Sequence, residues 1–195
     1  MIFFFQCSPR EAILSDLLEK NDGGTSFVLN HKKIKGSLAQ IGEYASLEEL
    51  TLNYNEIDSI PSEFGNLVRL RKLSLYGNSL NSLPDSFSNL IQLETLILGK
   101  NKFTEIPSSI QKLPRLKYLS IDDNKIQLTE SDVNIISDLP ALEYIDISEN
   151  PEILVIPSNV SKLDGIKTIL LKKTKLKHDE REKMFNALPN TKLVN

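Results

Sequence analysis

The side chains that could carry out chemistry in this chain are few and scattered. His31 and His178 lie far apart, and neither belongs to a metal-ligand or catalytic pattern, so both are expected on the surface. Asp122, Asp123 and Asp146 could attract a calcium ion, but they lack the wrapping loop that calcium usually needs. No glycine-rich phosphate loop, serine nucleophile elbow or Cys-x-x-Cys pair occurs. We therefore predict that the protein is not an enzyme, has no small-molecule substrate and needs no metal or other cofactor.

The composition is that of an ordinary globular domain. Hydrophobic residues make up 40% and charged residues 25% of the 195 residues, which allows one domain with a substantial core. The net charge of −3 is too small and too mixed to favour nucleic acid or a membrane surface as the main partner. The chain has one cysteine, Cys7, which excludes an internal disulfide.

Cys7 follows a short apolar stretch at residues 2–5. The stretch is too short for a complete signal peptide. An apolar run that ends at a cysteine nevertheless resembles the cleavage site of a bacterial lipoprotein, although Gln6 stands where a small residue is usual. In that interpretation the true start lies upstream of Met1 and Cys7 carries a lipid anchor. In the alternative interpretation, the phenylalanines of this stretch cover the open end of the core.

A sequence motif that recurs every 23 residues covers most of the chain. Its form is L-x-x-L-x-L-x-x-N, and four successive copies end at Asn55, Asn78, Asn101 and Asn124. A fifth copy ends at Asn150, after a spacing of 26 residues. A sixth copy and a degenerate first copy bring the number of units to seven. The residues that close them are Lys32, Asn55, Asn78, Asn101, Asn124, Asn150 and Thr174. Atypical units at both ends are expected of a stacked array.

Each copy predicts a short strand followed by a turn. The alternating apolar positions place leucines on one side of the strand, in the core. The asparagine amide can donate to and accept from buried backbone groups of its own and the neighbouring unit, which Thr174 can do only in part. The tail then carries an Ile-Pro or Leu-Pro step, at Pro61, Pro84 and Pro107, and proline keeps this limb out of a sheet.

Three helices are predicted outside the regular tails. In the fourth unit, Thr129 and Asp132 resemble a capping box, so a longer helix is expected after them. A helix begins at Ser8 near the N-terminus, and residues 178–188 form another, after which residues 193–194 could add a final strand. The inward-facing residues of the two terminal helices are expected to be Ile13, Leu14, Leu17 and Leu18, and Met184, Phe185 and Leu188.

The repeats resemble those of the leucine-rich-repeat family, in the 23-residue subtype with an Ile/Leu-Pro step on the outer limb. The resemblance covers residues 24–176. It implies an α/β fold, a curved solenoid with about seven parallel strands on the concave face and loops and short helices on the convex face. Residues 1–23 would then be an N-terminal capping helix, with a possible export-signal remnant at residues 1–7, and residues 177–195 a C-terminal cap.

The alternation within the strands also predicts which side chains lie on the concave face. Four of the five tyrosines do so, and four carboxylates lie on two neighbouring units close to two of these tyrosines. Tyrosine is enriched in binding hot spots, and a carboxylate cluster favours a basic partner. The predicted partner-binding residues are Tyr54, Tyr76, Tyr118, Asp122, Asp123, Tyr144, Asp146 and Glu149. Gly99, Ser120 and Ser148 are expected to be exposed on the same face. The alternative is that tyrosine simply suits strands and that the charges keep the solenoid soluble.

The resemblance implies a non-enzymatic protein–protein binding module that uses its concave face, with a protein partner and a monomeric state. The subtype occurs in bacterial secreted or surface proteins that meet host cells. It also occurs in intracellular eukaryotic scaffolds that bind small GTPases. Eukaryotic extracellular repeat proteins usually seal their ends with paired cysteines, and only Cys7 is present here. We therefore expect a bacterial secreted or outer-surface protein that contacts host or surface proteins, and the alternative is a cytoplasmic scaffold for a signalling protein.

Overall fold

The computed structural model describes Leu14, Leu17, residues 24–35 and residues 38–195. Within them, eight strands form one parallel sheet in which each strand pairs with the next along the chain. The strands are β1 (Ser26–Val28), β2 (Glu49–Thr51), β3 (Lys72–Ser74), β4 (Thr95–Ile97), β5 (Tyr118–Ser120), β6 (Tyr144–Asp146), β7 (Thr168–Leu170) and β8 (Lys192–Val194). The α/β solenoid predicted from the repeats is confirmed, and β8 is the final strand that the last residues could add.

Short helices connect the strands. The described 3-10 helices are Ala39–Glu43, Ser62–Asn66, Asp85–Asn89, Ser108–Ile110 and Val160–Leu163, and the longer helices are α1 (Glu130–Ser137) and α2 (His178–Ala187). Pro61 and Pro84 have extended backbone, with ψ at 158° and 155°, and each directly precedes a 3-10 helix. The proline therefore ends the extended segment of its coil and allows the helical segment to begin. Among the described helices, none is long and apolar enough to cross a membrane.

The core is a stack of equivalent side chains from successive coils. Leu50, Leu73 and Leu96 are register partners in β2, β3 and β4, and each is at most 1% exposed. Phe64 and Phe87 fill the space behind them and are fully buried. Because every coil buries its apolar side chains against the coils on both sides, the spacing between coils is fixed by close packing.

The asparagines that close the repeats form a ladder of hydrogen bonds between coils. Asn55 Nδ2 donates to Leu29 O and Leu52 O, both at 2.9 Å, and Asn55 Oδ1 accepts from Ile34 N at 3.1 Å. The same bonds, to equivalent groups of their own and the preceding coil, are made by Asn78, Asn101, Asn124 and Asn150. In the last repeat the Thr174 hydroxyl donates to one carbonyl of its own coil. The amide therefore ties neighbouring coils together, whereas the threonine hydroxyl bonds a carbonyl of its own coil and accepts from Arg181 of α2 at 3.4 Å.

The helix predicted in the fourth unit is α1, and its capping box is present. Thr129 Oγ1 accepts from Asp132 N at 3.2 Å, and Asp132 Oδ2 accepts from Thr129 N at 2.8 Å. Asp132 is 1% exposed because its other oxygen accepts from Ile106 N, in the preceding coil, at 2.6 Å. One carboxylate thus caps α1 and fastens it to the neighbouring unit.

The two ends of the chain are described to different extents. Of the predicted N-terminal helix, only Leu14 and Leu17 are described; both are helical, and Leu14 is buried. Cys7 and the other residues of the segment 1–23 lie outside the described residues. At the other end, Met184 and Leu188 lie in the core, but the prediction that Phe185 points inwards was wrong, since it is 69% exposed. Successive residues of an α-helix lie about 100° apart around its axis. The side chain of Phe185 therefore leaves the face on which Met184 is buried.

Candidate functional site

The solvent-facing side of the sheet carries the predicted site residues, and we call this side the open sheet face. The middle residue of β1 to β7 is buried, and in most of these strands both flanking residues are more exposed. Tyr118 and Tyr144 are direct register partners in β5 and β6. Tyr54 and Tyr76 lie in the turns that follow β2 and β3. Tyr54 and Tyr144 are exposed, and Tyr76 and Tyr118 are half-buried.

A row of residues with left-handed backbone lies along the edge where the chain leaves the strands. Each stands directly before the closing residue of its unit, with φ between 49° and 69°; the members of this left-handed row are His31, Tyr54, Gly77, Lys100, Asp123, Glu149 and Lys173. Their N–H groups extend the sheet, as in the 2.8 Å bond from Tyr54 N to Tyr76 O. A left-handed conformation costs a non-glycine residue about 1–2 kcal/mol, so the fold holds exposed side chains here under strain.

The first two members of this row, His31 and Tyr54, form an aromatic cluster with Tyr76, which directly precedes Gly77. The rings of His31 and Tyr54 stack at 4.7 Å between centroids, and Tyr76 meets Tyr54 edge to face at 5.4 Å. Lys100 Nζ lies 5.7 Å from the centroid of the Tyr54 ring, within reach of a cation–π contact. The rings support one another, so a ligand that packs on them needs to immobilise few side chains.

The second half of the open sheet face is acidic. Asp122, Asp123 and Asp146 lie there, and no lysine or arginine among the described residues forms an ion pair with them. Glu149 belongs to the same predicted group, but Lys173 Nζ lies 2.8 Å from its carboxylate and compensates its charge. The three aspartates form no ion pair of their own, although the charge of Lys173 also acts on Asp123, and we call them the aspartate cluster.

Three residues that were predicted to be exposed on this face are buried instead. Ser120 is 4% and Ser148 6% exposed, and Gly99 is also buried. The Ser120 hydroxyl donates to Asp122, and a Cβ on Gly99 would touch both Asp122 and Tyr76. The prediction was wrong because larger neighbours fold over these small residues. The same contacts show that Tyr76 and Asp122 adjoin, so the aromatic cluster and the aspartate cluster form one continuous surface.

The electrostatics of this surface follow from its partial burial. Burial raises the pKa of Asp122 and repulsion from Asp146 adds to the shift, while the hydrogen bond from Ser120 opposes it. Burial also raises the pKa of Tyr76 and of Tyr118, and the neighbouring carboxylates, Asp122 and Asp146 respectively, raise each further. A carboxylate that is held half-buried beside another carboxylate is an unfavourable arrangement, and a cation brought by a ligand would relieve it.

Replacing Asp122 by asparagine is expected to stabilise the fold at pH 7, by less than about 1 kcal/mol because water still reaches the group. A carboxyl whose pKa is raised on folding contributes stability below its unfolded pKa and loses that contribution as the pH rises through the folded pKa. The advantage of Asp122→Asn should therefore be present at pH 7 and disappear towards pH 3. Urea unfolding of both proteins between pH 3 and pH 8 measures it.

Asp58→Asn is the matched control for this experiment, because Asp58 is an exposed carboxylate that also accepts a hydrogen bond from a serine hydroxyl. It should change stability little at any pH. An Asp122→Asn variant that is less stable than the parent at pH 7, or whose advantage is the same at every pH, would contradict the assignment.

The opposite edge of the sheet, where the chain enters the strands, carries charges of alternating sign. One residue per coil stands after the first leucine of each unit; the members of this entry-edge row are Glu48, Arg71, Glu94, Lys117, Glu143 and Lys167. Glu94 bonds Arg71 at 2.6 Å and Lys117 at 2.9 Å, and these two bonds, the one from Lys117 foremost, lower its pKa to about 2. This row was not predicted, although the alternation of sign at the repeat spacing is visible in the sequence.

The histidines do not form a catalytic or metal-binding centre. His31 stacks on Tyr54, and His178 is exposed, with its Nε2 atom 3.4 Å from Glu182. Within residues 24–35 and 38–195, together with Leu14 and Leu17, no group of three or more histidine, cysteine, aspartate or glutamate side chains is placed to hold a metal ion. What the open sheet face offers is a shaped surface of rings and carboxylates, which suits recognition of another molecule.

Comparison with known proteins agrees with this description. A sequence model of the family described as leucine-rich repeat region matches residues 27–125. A comparison with curated protein sequences gave no match. Among solved structures, a leucine-rich-repeat protein of Leptospira interrogans is similar over 87% of this chain and 60% of its own, with 20% identity and a TM-score of 0.57, which speaks to the fold alone.

Two further solved structures are also similar. The PEPR1–AtPEP1 structure matches 88% of this chain with 26% identity and a TM-score of 0.70. The ectodomain of the receptor kinase GASSHO1/SCHENGEN3 from Arabidopsis thaliana, in complex with CASPARIAN STRIP INTEGRITY FACTOR 2, matches 83% with 30% identity and a TM-score of 0.63. This chain spans 24% and 19% of the length of those two chains.

Proposed function

Because the chain belongs to the leucine-rich-repeat family, we propose that it is a non-enzymatic module that binds a protein through the open sheet face. The observation that carries this proposal is the continuous surface in which the aromatic cluster adjoins the aspartate cluster. Support comes from two of the similar solved structures, which are PEPR1–AtPEP1 and the GASSHO1/SCHENGEN3 ectodomain in complex with CASPARIAN STRIP INTEGRITY FACTOR 2.

The partner that fits this surface presents basic and apolar groups together. A lysine or arginine of the partner would compensate Asp122, Asp123 and Asp146, while aromatic or aliphatic side chains pack on the tyrosines. From β2 to β6 the surface crosses four strand spacings of about 4.8 Å, or about 19 Å in all. An extended segment rises about 3.3 Å per residue, so about six residues would cross it.

The role that we propose is that of a bacterial secreted or outer-surface protein that meets host or surface proteins, with Cys7 as the site of a lipid anchor. The support is the apolar stretch that ends at Cys7. The alternative is a cytoplasmic scaffold that binds a signalling protein such as a small GTPase. The DNA upstream of Met1 separates the two roles: an in-frame basic and apolar extension supports export, and a stop codon directly upstream rejects it.

The binding proposal can be tested before a natural partner is identified. A displayed library of random peptides, selected on the full chain, should yield sequences with lysine or arginine beside aromatic or aliphatic residues. The double variant Tyr118→Ala/Tyr144→Ala is expected to bind the selected peptides about tenfold or more weakly, because it removes two rings on adjacent strands beside the aspartate cluster. Fluorescence anisotropy measures the affinity, and circular dichroism shows whether the fold is intact.

The matched control is Leu154→Ala/Val155→Ala, which trims two exposed side chains, 49% and 63% exposed, outside the strands and away from the open sheet face. This control should leave the affinity unchanged. Equal affinity of the tyrosine double variant and the parent, or an equal loss in the control, would place the binding site elsewhere.

A further inference from the structure

A groove lies on the edge of the sheet where the chain enters β3, β4 and β5, opposite the edge that carries the left-handed row. Its volume is about 630 Å³, and its lining includes Val68, Ile91, Arg69, Arg71 and Arg115. These residues precede the strands, whereas the tyrosines of the aromatic cluster follow them. The groove is therefore a surface separate from the proposed protein-binding face.

The floor of the groove is an exposed apolar row. Val68 and Ile91 occupy equivalent positions 23 residues apart, and they are 47% and 49% exposed. Each donates its N–H to a carbonyl two residues earlier, Val68 to Asn66 and Ile91 to Asn89, both at 2.8 Å, so the same turn directs both side chains. The equivalent residues of the flanking coils, Ala45 and Pro114, are also apolar and exposed. Adjacent coils thus offer a strip of apolar surface to solvent, which is a mark of interaction sites.

The walls of the groove are basic. Arg115 Nη1 donates to the neutral amide of Gln92 at 2.7 Å, and no carboxylate among the described residues forms an ion pair with Arg69 or Arg115. Arg71 is engaged by Glu94, and Glu48 is the acidic residue of the lining. Because Glu94 compensates Arg71, the charges left in the lining of the groove are Arg69 and Arg115 against Glu48, so the lining is positive in a chain whose net charge is −3. The guanidinium group is well suited to bind carboxylates in a bidentate manner.

We propose that this groove is a second binding site, for a polypeptide segment in which aspartate or glutamate residues flank an apolar side chain. The apolar side chain covers Val68 and Ile91, and the carboxylates pair with Arg69 and Arg115. A free phosphate would satisfy the arginines but would leave the apolar floor exposed, so the combination favours a polypeptide. The two surfaces then differ in preference, one for basic and one for acidic partners, and the same chain can hold both at once.

The probe is a fluorescein-labelled peptide of alternating glutamate and leucine, seven residues long and glutamate at both ends, titrated with the full chain by fluorescence anisotropy. A comparison peptide replaces its leucines by serine and keeps its charge. The leucine peptide is expected to bind at least tenfold more tightly than the serine peptide. Val68→Ser/Ile91→Ser should remove that difference, and Arg69→Glu/Arg115→Glu should weaken binding of the leucine peptide at least tenfold.

The charge control is Lys102→Glu/Lys125→Glu, which reverses two exposed lysines 23 residues apart and outside the groove, and it should bind like the parent. Tyr118→Ala/Tyr144→Ala should also bind the peptide like the parent, so failure of the proposed function and failure of this site can be told apart. If Arg69→Glu/Arg115→Glu unfolds, Arg69→Gln/Arg115→Gln replaces it. Equal binding of the two peptides, an equal loss in the lysine control, or self-association of the parent that depends on Arg69 and Arg115 would overturn the proposal.

Discussion

Replacing Asn150 by alanine is expected to lower the free energy of unfolding by about 3–5 kcal/mol. Asn150 is fully buried; its Nδ2 atom donates to Ile121 O at 3.0 Å and Ile147 O at 3.1 Å, and its Oδ1 atom accepts from Ile126 N at 2.9 Å. Alanine would leave Ile147 O and Ile126 N without a partner among the described residues, while Ile121 O would keep its bond from Asn124 Nδ2. Each unpaired buried group costs about 1–3 kcal/mol, and the lost side chain also leaves a cavity. Stabilities of domains of this size are about 5–15 kcal/mol, so the variant would be close to unfolding.

Urea unfolding followed by circular dichroism measures this loss. Asn81→Ala is the control, because Asn81 is exposed and only accepts a bond from the neighbouring serine hydroxyl. It should change the free energy of unfolding by less than about 0.5 kcal/mol. Asn150→Asp should lose about as much as Asn150→Ala, because the carboxylate keeps the acceptor, removes the donor and buries a charge. A loss from Asn150→Ala as small as that from Asn81→Ala would mean that the ladder does not hold the coils together.

The fold could be predicted because every coil needs a side chain that bonds backbone groups of two coils, and this need recurs at a fixed spacing in the sequence. A residue that must pair backbone groups of two coils can hardly be replaced except by another amide, so Asn55, Asn78 and Asn101 mark the units in the sequence. The leucines before them, such as Leu50 and Leu73, face the core for the same geometric reason in every unit. Strands, turns and the register of the sheet all follow from this repetition.

The exposure of individual side chains could be predicted less well, because alternation gives only the direction in which a side chain leaves the backbone. The side chain of Ser120 leaves the backbone towards solvent, but it is buried because Asp122 folds over it. Phe185 was assigned to the core from its hydrophobicity, but the positions of Met184 on α2 and of Leu188 directly after it decide which side faces inwards. Such details depend on the size and angle of neighbours in space, which the repeat pattern does not carry.

The candidate site was predictable in part. Its tyrosines and carboxylates could be assigned to one face from the alternation alone, whereas the contact of Tyr54 with His31 depends on the left-handed turn after each strand. Gly77 was the one clue to that turn, since glycine adopts a positive φ at little cost. The entry-edge row was missed for a different reason: a single charge such as Glu94 looks like an ordinary solvated residue until its partners in the adjacent coils are seen.

Replacing Gly65 by alanine is expected to lower the free energy of unfolding by about 2–3 kcal/mol. Gly65 is buried in the 3-10 helix Ser62–Asn66, which packs on the helix Asp85–Asn89 of the next coil. A Cβ there would lie 2.7 Å from both Ser86 Cβ and Ser86 O, and a backbone carbonyl cannot turn aside as a side chain can. Its φ is not in the left-handed region, so crowding rather than backbone strain is the cause. Alanine also stiffens the unfolded chain, which favours folding by about 0.4–1 kcal/mol, but the overpacking outweighs this gain.

Ser88→Ala is the matched control, because Ser88 stands 23 residues further on, at the equivalent position of the next 3-10 helix. It loses an exposed bond from its hydroxyl to Asp85 O, and urea unfolding should show a change within about 0.5 kcal/mol. If Gly65→Ala is as stable as the parent, the coils are not packed this closely.

The crowding caused by Gly65→Ala should also affect the binding surface. Gly65 and Tyr54 share one coil, and Ser86 and Tyr76 share the next. Forcing these two coils apart at their 3-10 helices is expected to disturb the 5.4 Å contact between the two tyrosine rings. A folded Gly65→Ala variant should therefore bind the peptides selected on the open sheet face more weakly than Ser88→Ala does.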